Sequence, residues 1–451
     1  MDARRLALEV LAQVEEQGAY ASLLLDAKLQ KARLSREERA LATELTYGVL
    51  RWQGRLDYLL AAVTDRPWER VDPGLRRLLR LGAYQILFLT RMPSYAAVNE
   101  TVALAHAAGG QVNRGAKAFI NAILRRLLEE GGTIRFPDPS TDPVGALATR
   151  WSHPRWLVAR WLARLGAEET EALLRADNET PALSVVVNRL KRRPEEVEAH
   201  LASIAGSVTP GRFAPEVFHL KDGAEALRDP AFAGGWYFPM DEAAALPALL
   251  LDPQPGDTVL DACAGGGGKS ALLLGLLGAG GRVIALDPSA RAHRRLQEAR
   301  ARLGLDRLLP VQADARLAFR LLTCQADRVL VDAPCSGLGT LRRHPERKWQ
   351  QQEAGLEALA RLQCELLRGV APLLKPGGLL VYSTCSFEPE ETDRVIETFL
   401  RESPDFAQDD PRDTLPATVA GLLDSEGTLR TWPHRHGLDG FYAIRLKRRP
   451  G

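Results

Sequence analysis

The sequence predicts a multidomain protein: an all-α amino-terminal bundle, a small α+β connecting domain and a carboxy-terminal α/β domain built on a parallel sheet. Three observations predict this. Apolar residues recur at three- and four-residue spacings through the first 132 or so residues, as in Leu6, Val10, Leu11, Val14 and again in Leu75, Leu78, Leu79, Ile86. Gly131-Gly132 with FPDPSTDP (136–143), and later Gly234-Gly235, break the pattern. From 236 onward short β-rich runs alternate with helical stretches, the signature of a parallel sheet covered by helices. The expected domains are 1–135, 145–235 and 236–449, consistent with about three domains for 451 residues.

In the first region, Ser35 followed three residues later by Glu38 predicts a capping box opening a helix. Asp72 before Pro73 predicts a cap and a first helical residue. On the helix expected over 74–89, Arg76, Arg77 and Arg80 fall opposite the leucine face, a stripe suited to phosphates or simply to water. The second region mixes helices (156–165, 168–176) with a strand-like SVVVN at 184–188. In the third, DTVLDA (257–262), RVIALD (282–287), VQAD (311–314), DRVLVDA (327–333) and LLVYSTC (379–385) read as strands, with helices over 288–303 and 352–373 between them.

Composition narrows the function. Hydrophobic residues make up 45% and charged residues 26%, ordinary for a globular protein and not for a disordered or collagen-like chain. The net charge is only +2, so any nucleic-acid surface must be local. Five cysteines, at 263, 324, 335, 364 and 385, form no CxxC pair, which points to a reducing compartment. No secretory signal is visible in MDARRLALEVL. The most apolar stretch, 271–286, is interrupted by glycines and Arg282. A soluble, cytoplasmic protein with no membrane and no metal partner is expected, acting as a monomer.

The glycine-rich DACAGGGGKS (261–270) lies between a strand and a helix, where unpaired helix N–H groups and glycine backbone approach a ligand. A phosphate-binding GxxxxGK[ST] loop fits Gly268-Lys269-Ser270, but Cys263 stands where its first glycine should be. A nucleoside-binding loop fits better. Asp287, closing the next strand, is placed for ribose hydroxyls, and Asp314, closing the third, for an adenine amino group. No GxGxxG occurs, which favours S-adenosyl-L-methionine over a dinucleotide.

DAPCSG (332–337) and STCS (383–386) each place a cysteine at the end of a strand. Two thiols facing an adenosine-type cofactor suggest methylation at carbon 5 of a pyrimidine. A thiolate adds to carbon 6, carbon 5 becomes nucleophilic, and a base later removes the carbon-5 proton. Asp332 is the candidate for hydrogen bonding at ring nitrogen 3. This chemistry alone does not order Cys335 and Cys385. Cys324 and Cys364, in helical or apolar contexts, read as structural.

At these residues the sequence closely resembles, over nearly its whole length, the bacterial 16S ribosomal RNA cytosine-5 methyltransferases of the RsmB (Fmu/Sun) type. That family's cofactor motif usually reads DxCAAPGGKT. Here Gly265-Gly266 replace Ala-Pro, while Cys263, Ala264, Gly267, Gly268 and Lys269 match. DAPCSGLGTLRRHPERKW (332–349), YSTCSFEPEE (382–391) and a closing strand DGFYAIRLKR (439–448) also fit. The resemblance implies that Cys385 is the nucleophile and that Cys335 assists product release. It also implies that Cys263, Ala264, Gly265, Gly266, Gly267, Gly268, Lys269, Asp287, Asp314 and Asp332 line the pocket of S-adenosyl-L-methionine in a Rossmann-like domain. Lys269 is expected near both ligands.

The amino-terminal region resembles the NusB RNA-binding fold in ELTYGVLRWQGRLD (44–57) and NAILRRL (121–127). Small-subunit ribosomal RNA is therefore the expected partner. Arg342, Arg343, Arg347 and Lys348 with Trp349, beside the DAPC motif, are expected to grip RNA by charge and stacking. The same chemistry on transfer RNA or another ribosomal position, and a non-catalytic NusB-like RNA-binding or transcription factor, are the alternatives.

Overall fold

The computed structural model describes residues 2–90, 92–107, 114–323 and 325–450. It divides into two compact units, one of residues 1–179 with 341–353, the other of 180–340 with 354–451.

The first unit is helical. Its principal helices are Ala3–Gln17, Ala21–Lys31, Arg36–Ala62, Pro73–Phe88, Ser94–Ala103 and Arg114–Glu130, followed by Pro143–Trp151, Arg155–Leu165 and Ala167–Ala176. Local chemistry sets the starts. The Ser35 side chain accepts from Glu38 N while the Glu38 carboxylate accepts from Ser35 N, and Asp72 accepts from Leu75 N with Pro73 in the first turn. The faces at three–four spacing then converge, burying Leu6, Val10, Leu45, Val49, Leu56, Leu60, Leu78 and Leu124 in one core. Each such side chain contributes about 1.5–3 kcal/mol when fully buried. The helices over 143–176, expected in the connecting domain, belong to this unit by packing.

The second unit holds two sheets. In the smaller, β1 (Leu183–Val187), β2 (Ser207–Pro210), β3 (Val217–Lys221) and β4 (Tyr237–Pro239) run antiparallel in the order β2-β3-β1-β4. The larger contains β5 (Thr258–Asp261), β6 (Arg282–Leu286), β7 (Leu308–Val311), β8 (Ala326–Asp332), β9 (Leu374–Thr384), β10 (Phe406–Gln408), β11 (Leu429–Thr431) and β12 (Phe441–Arg448). Its order is β10-β12-β9-β8-β5-β6-β7, with β11 also on β12. The strands β5 to β9 pair in parallel, while β12 is antiparallel to β9 and carries β10 and β11 antiparallel to itself. The sheet is thus mixed, where alternation alone predicted a parallel one. The chain runs outward from β5 through β6 to β7, then returns to place β8 on the other side of β5. The strand order reverses there, and at such a point the carboxyl ends of neighbouring strands open a crevice. No helix among the described residues is long and apolar enough to cross a membrane.

Candidate active site

The glycine loop leaves the carboxyl end of β5 at this reversal. Ala264 N donates to Leu286 O, fastening the loop to the end of β6. Gly265 and Gly267 have φ of 54° and 85°, the left-handed region that side chains rarely adopt. Gly267 is doubly constrained, because a Cβ there would lie 2.5 Å from Leu296 Cδ1. Around Gly265 and Gly266 nothing lies within 4 Å of the Cβ position, so the outer face of the loop is an open cradle. Gly268 begins the helix Gly268–Leu277, which presents its N-terminal N–H groups to the same crevice.

Carboxylates surround the loop. Asp287 follows β6 directly, and its oxygens accept from Gly265 N (3.1 Å) and Ser289 N (2.8 Å). Asp314 lies not at the end of a strand but three residues beyond β7. There it caps a short turn, accepting from Arg316 N and pairing with the Arg316 guanidinium at 2.7 Å. Asp261 is buried, accepts from Ser270 Oγ at 2.6 Å, and is pushed up to about 6 by burial, with the serine opposing. Burial together with Asp261, Asp332, Asp287 and Asp314 pushes the Cys263 thiol well above its ordinary value, so it stays protonated. An acidic crevice of this kind suits a cofactor bearing a sulfonium and an ammonium group. It repels a triphosphate, and the lysine a phosphate loop would use is already committed.

That lysine is Lys269, whose Nζ donates to Asp332 Oδ2 at 2.6 Å and sits 5.3 Å from the Phe441 ring centroid. Burial pulls its pKa down, but the Asp332 carboxylate beside it raises it further, so Lys269 remains an ammonium. Ser383 Oγ donates to the other oxygen of Asp332 at 2.9 Å, fixing the carboxylate between β8 and β9. Both strands end in cysteine loops, and Cys335 Sγ and Cys385 Sγ stand 3.1 Å apart as partly exposed thiols not joined in a disulfide. Contact with Cys385 and burial push the Cys335 thiol well above its ordinary value. Cys385 in turn lies within the field of the Lys269 ammonium. Cys335, Cys385, Asp332 and Lys269 are therefore one cluster, while Cys263 to Gly268, Asp287 and Asp314 border the crevice beside it. Cys364 is buried in a helix of the core, and Cys324 lies outside the described residues.

Two expectations are corrected. The segment Leu341–Glu353 belongs to the helical unit, where Arg342 and Lys348 are buried while Arg343 and Arg347 stay half-buried. Lys348 is 0% exposed and donates to Arg51 O, Ser152 O and Asn178 Oδ1; Arg342 is buried, and Trp349 Nε1 donates to Leu50 O. Of the arginine stripe, Arg77 and Arg80 are 9% and 5% exposed and pair with Glu15, Glu16 and Asp57. Helical spacing locates a charge on a face. It does not say which carboxylate a neighbouring helix brings to that face.

A buried network was not foreseen. Glu391, 0% exposed, accepts from Ser336 N (2.8 Å), Ser336 Oγ (2.5 Å) and Gln363 Nε2 (3.1 Å). The acidic run after STCS was its only sequence signal.

Comparison with known proteins gives three matches to family descriptions. Residues 248–447 match "16S rRNA methyltransferase RsmB/F", 1–129 match "NusB family", and 153–226 match a RsmF/B-like ferredoxin-like domain. A Bacillus subtilis protein named probable ribosomal RNA small subunit methyltransferase B is 38% identical, covering 99% of this chain and 98% of its own. The Pseudomonas putida ribosomal RNA small subunit methyltransferase B is 36% identical, covering 99% and 98%. Among solved structures, that of PH0851 superposes with a TM-score of 0.84 at 28% identity over 99% of each chain.

Proposed function

The chain belongs to the 16S rRNA methyltransferase RsmB/F family, and we propose that it uses S-adenosyl-L-methionine to methylate carbon 5 of a cytidine in 16S ribosomal RNA. The observation that carries this reading is the pair of thiols 3.1 Å apart beside the Lys269–Asp332 ion pair. When bound, the cofactor supplies an electrophilic methyl group. Gly265, Gly266 and Asp287 offer it an open cradle and an anionic rim.

The chain's own groups do the rest. Lys269, kept as an ammonium by Asp332, lies within electrostatic reach of the Cys385 sulfur, and the addition step uses that sulfur as a thiolate after its proton has passed to solvent. Cys385 Sγ bonds to carbon 6 of the target ring, and the displaced double-bond pair makes carbon 5 nucleophilic. Asp332 hydrogen-bonds at nitrogen 3 through a proton taken up from solvent as the ring enters, and so stabilises the charge entering the ring, while Lys269 keeps its own proton. Once carbon 5 carries the methyl group, Cys335 gives its own proton to solvent and, as thiolate, takes the carbon-5 proton. The pair left behind re-forms the double bond and expels the Cys385 sulfur. The raised pKa of Cys335 makes it a stronger base when deprotonated. The ring must leave its stack to reach the sulfur, so the substrate is an unpaired stretch of rRNA. We further propose the division of labour 1–135 for RNA binding, 145–235 as a connecting domain and 236–449 for catalysis, with the chain acting as a cytoplasmic monomer without a metal.

The test uses labelled cofactor and small-subunit rRNA. Cys335→Ala should accumulate a covalent protein–RNA species on a denaturing gel, and Cys385→Ala should show neither that species nor product. Persistent methylation by Cys385→Ala would reverse the assignment of the nucleophile. Bisulfite sequencing of total RNA from cells with and without the gene locates the modified cytidine and separates rRNA from transfer RNA.

A further inference from the structure

The two thiols meet because something other than the sheet holds their loops together. Cys335 sits three residues past the end of β8 and Cys385 one residue past the end of β9, and the residues that follow them, Ser336 and Ser386, turn inward. Their hydroxyl oxygens lie 3.2 Å apart. Beneath them lies the Glu391 carboxylate. One oxygen accepts from the Ser336 backbone N–H and from Gln363, and the other accepts from Ser336 Oγ. Gln363 Nε2 also donates to Pro334 O at 3.0 Å, so the Cys335 loop is held on both sides of the cysteine. Tyr382, on β9 just before the Cys385 loop, donates its hydroxyl to Glu391 O at 2.8 Å and lies 3.0 Å from Gln363 Oε1.

Burying this carboxylate is expensive unless its lone pairs are met, and charge-assisted hydrogen bonds are the strong ones. A buried acid with two donors on one loop, a third on a helix and its own backbone bonded to the neighbouring strand is costly packing filler. As a clamp between two loops it has a purpose. We propose that Glu391 is a positioning residue that fixes Cys335 against Cys385 and so sets the release step of methyl transfer; this rests on the reading of the two thiols given above. Glu391 touches neither sulfur in the hydrogen-bond network. It acts through Ser336, the next residue after Cys335.

The inference separates Glu391 from a merely structural acid. If it positions Cys335, its loss leaves Cys385 free to bond to the ring but slows removal of the carbon-5 proton. Glu391→Gln, which keeps the volume but replaces an acceptor by a donor, should lower kcat about 100-fold, the scale of an ångström of misplacement. KM for rRNA should stay within about twofold for the same reason, since no RNA-binding group is altered. The covalent protein–RNA species should accumulate as it does in Cys335→Ala. A second readout needs no RNA. With hydrogen peroxide as oxidant, one thiol becomes a sulfenic acid with loss of water, and the other displaces a second water to form a Cys335–Cys385 disulfide. The rate of that closure should fall at least tenfold in Glu391→Gln.

Unchanged turnover and unchanged disulfide closure would overturn the proposal. So would a fall in turnover, at wild-type thermal stability, without accumulation of the covalent species. Should Glu391→Gln fail to fold, Ser336→Ala removes one bond of the clamp and is read by the same assays. The underlying reading fails separately, in the wild-type protein, if rRNA is not methylated; the disulfide rate reports on the clamp in either case.

Discussion

Replacing Lys348 by Met tests whether the basic run after DAPCSG builds the helical unit or binds RNA. Methionine keeps most of the apolar stem but removes the amine, leaving Arg51 O, Ser152 O and Asn178 Oδ1 without their donor in a site that is 0% exposed. Each buried acceptor stripped of its partner costs about 1–3 kcal/mol. The variant no longer has to desolvate an amine, an opposing gain already felt as burial pulls the Lys348 pKa well below its ordinary range, with Asp177 opposing. The net expectation is a loss of about 3 kcal/mol, a large share of a typical 5–15 kcal/mol stability. For a unit of this size about 2–4 °C of Tm accompanies each kcal/mol, so calorimetry should show a fall of about 6–12 °C. Affinity for rRNA, titrated from low to high salt on folded protein, should be unchanged. A Tm within about 2 °C of wild type, with weakened binding and a salt slope shallower by about one, would refute this reasoning and restore a phosphate contact.

Asp261 gives a pH signature. Its carboxyl group titrates near 6 in the folded protein, above its unfolded value, so the folded state binds the extra proton and stability is lost as pH rises through about 6. Asp261→Asn should flatten that loss, and chemical denaturation at pH 5 and pH 8 checks whether the wild type loses about 1.4 kcal/mol more than the variant between the two. In the loop, Gly267→Ala meets both a φ of 85° and Leu296 Cδ1 and should weaken cofactor binding at least tenfold in calorimetry. Gly266→Ala, with open space at its Cβ, should bind within about twofold of wild type. Arg80→Met strands Asp57, which it now holds at 2.6 and 2.8 Å; a loss of about 3–5 kcal/mol in urea unfolding is expected, without a change in the salt dependence of RNA binding.

Much of the fold was legible because its causes are local. Ser35 and Glu38 cap each other across three residues, Asp72 and Pro73 start a helix together, and the glycine loop follows a strand and precedes a helix as its composition demands. The cluster was legible too, since Cys335 and Cys385 each follow closely on a strand end, and neighbouring parallel strands bring such ends together. What stayed hidden depends on partners far away in the chain. Nothing near Arg80 announces Asp57, and nothing near Lys348 announces Ser152 or Asn178. Nothing within FEPEE announces that Glu391 is buried against the Cys335 loop. The antiparallel pairing of β12 is likewise set by the course of the chain after β9, which spacing does not encode.

The return of residues 341–353 to the helical unit has a consequence for how the protein is made. The first 179 residues leave the ribosome long before the segment that supplies Trp349 and Lys348. At about 5–20 residues per second, the intervening 160 or so residues take roughly 8–32 s to synthesise. Throughout that interval the nascent bundle presents Leu50, Ser152 and Asn178 with their eventual partners still untranslated. Final closure of the bundle therefore waits until both DAPC and the run after it have emerged, which ties maturation of the amino-terminal half to arrival of the first catalytic thiol.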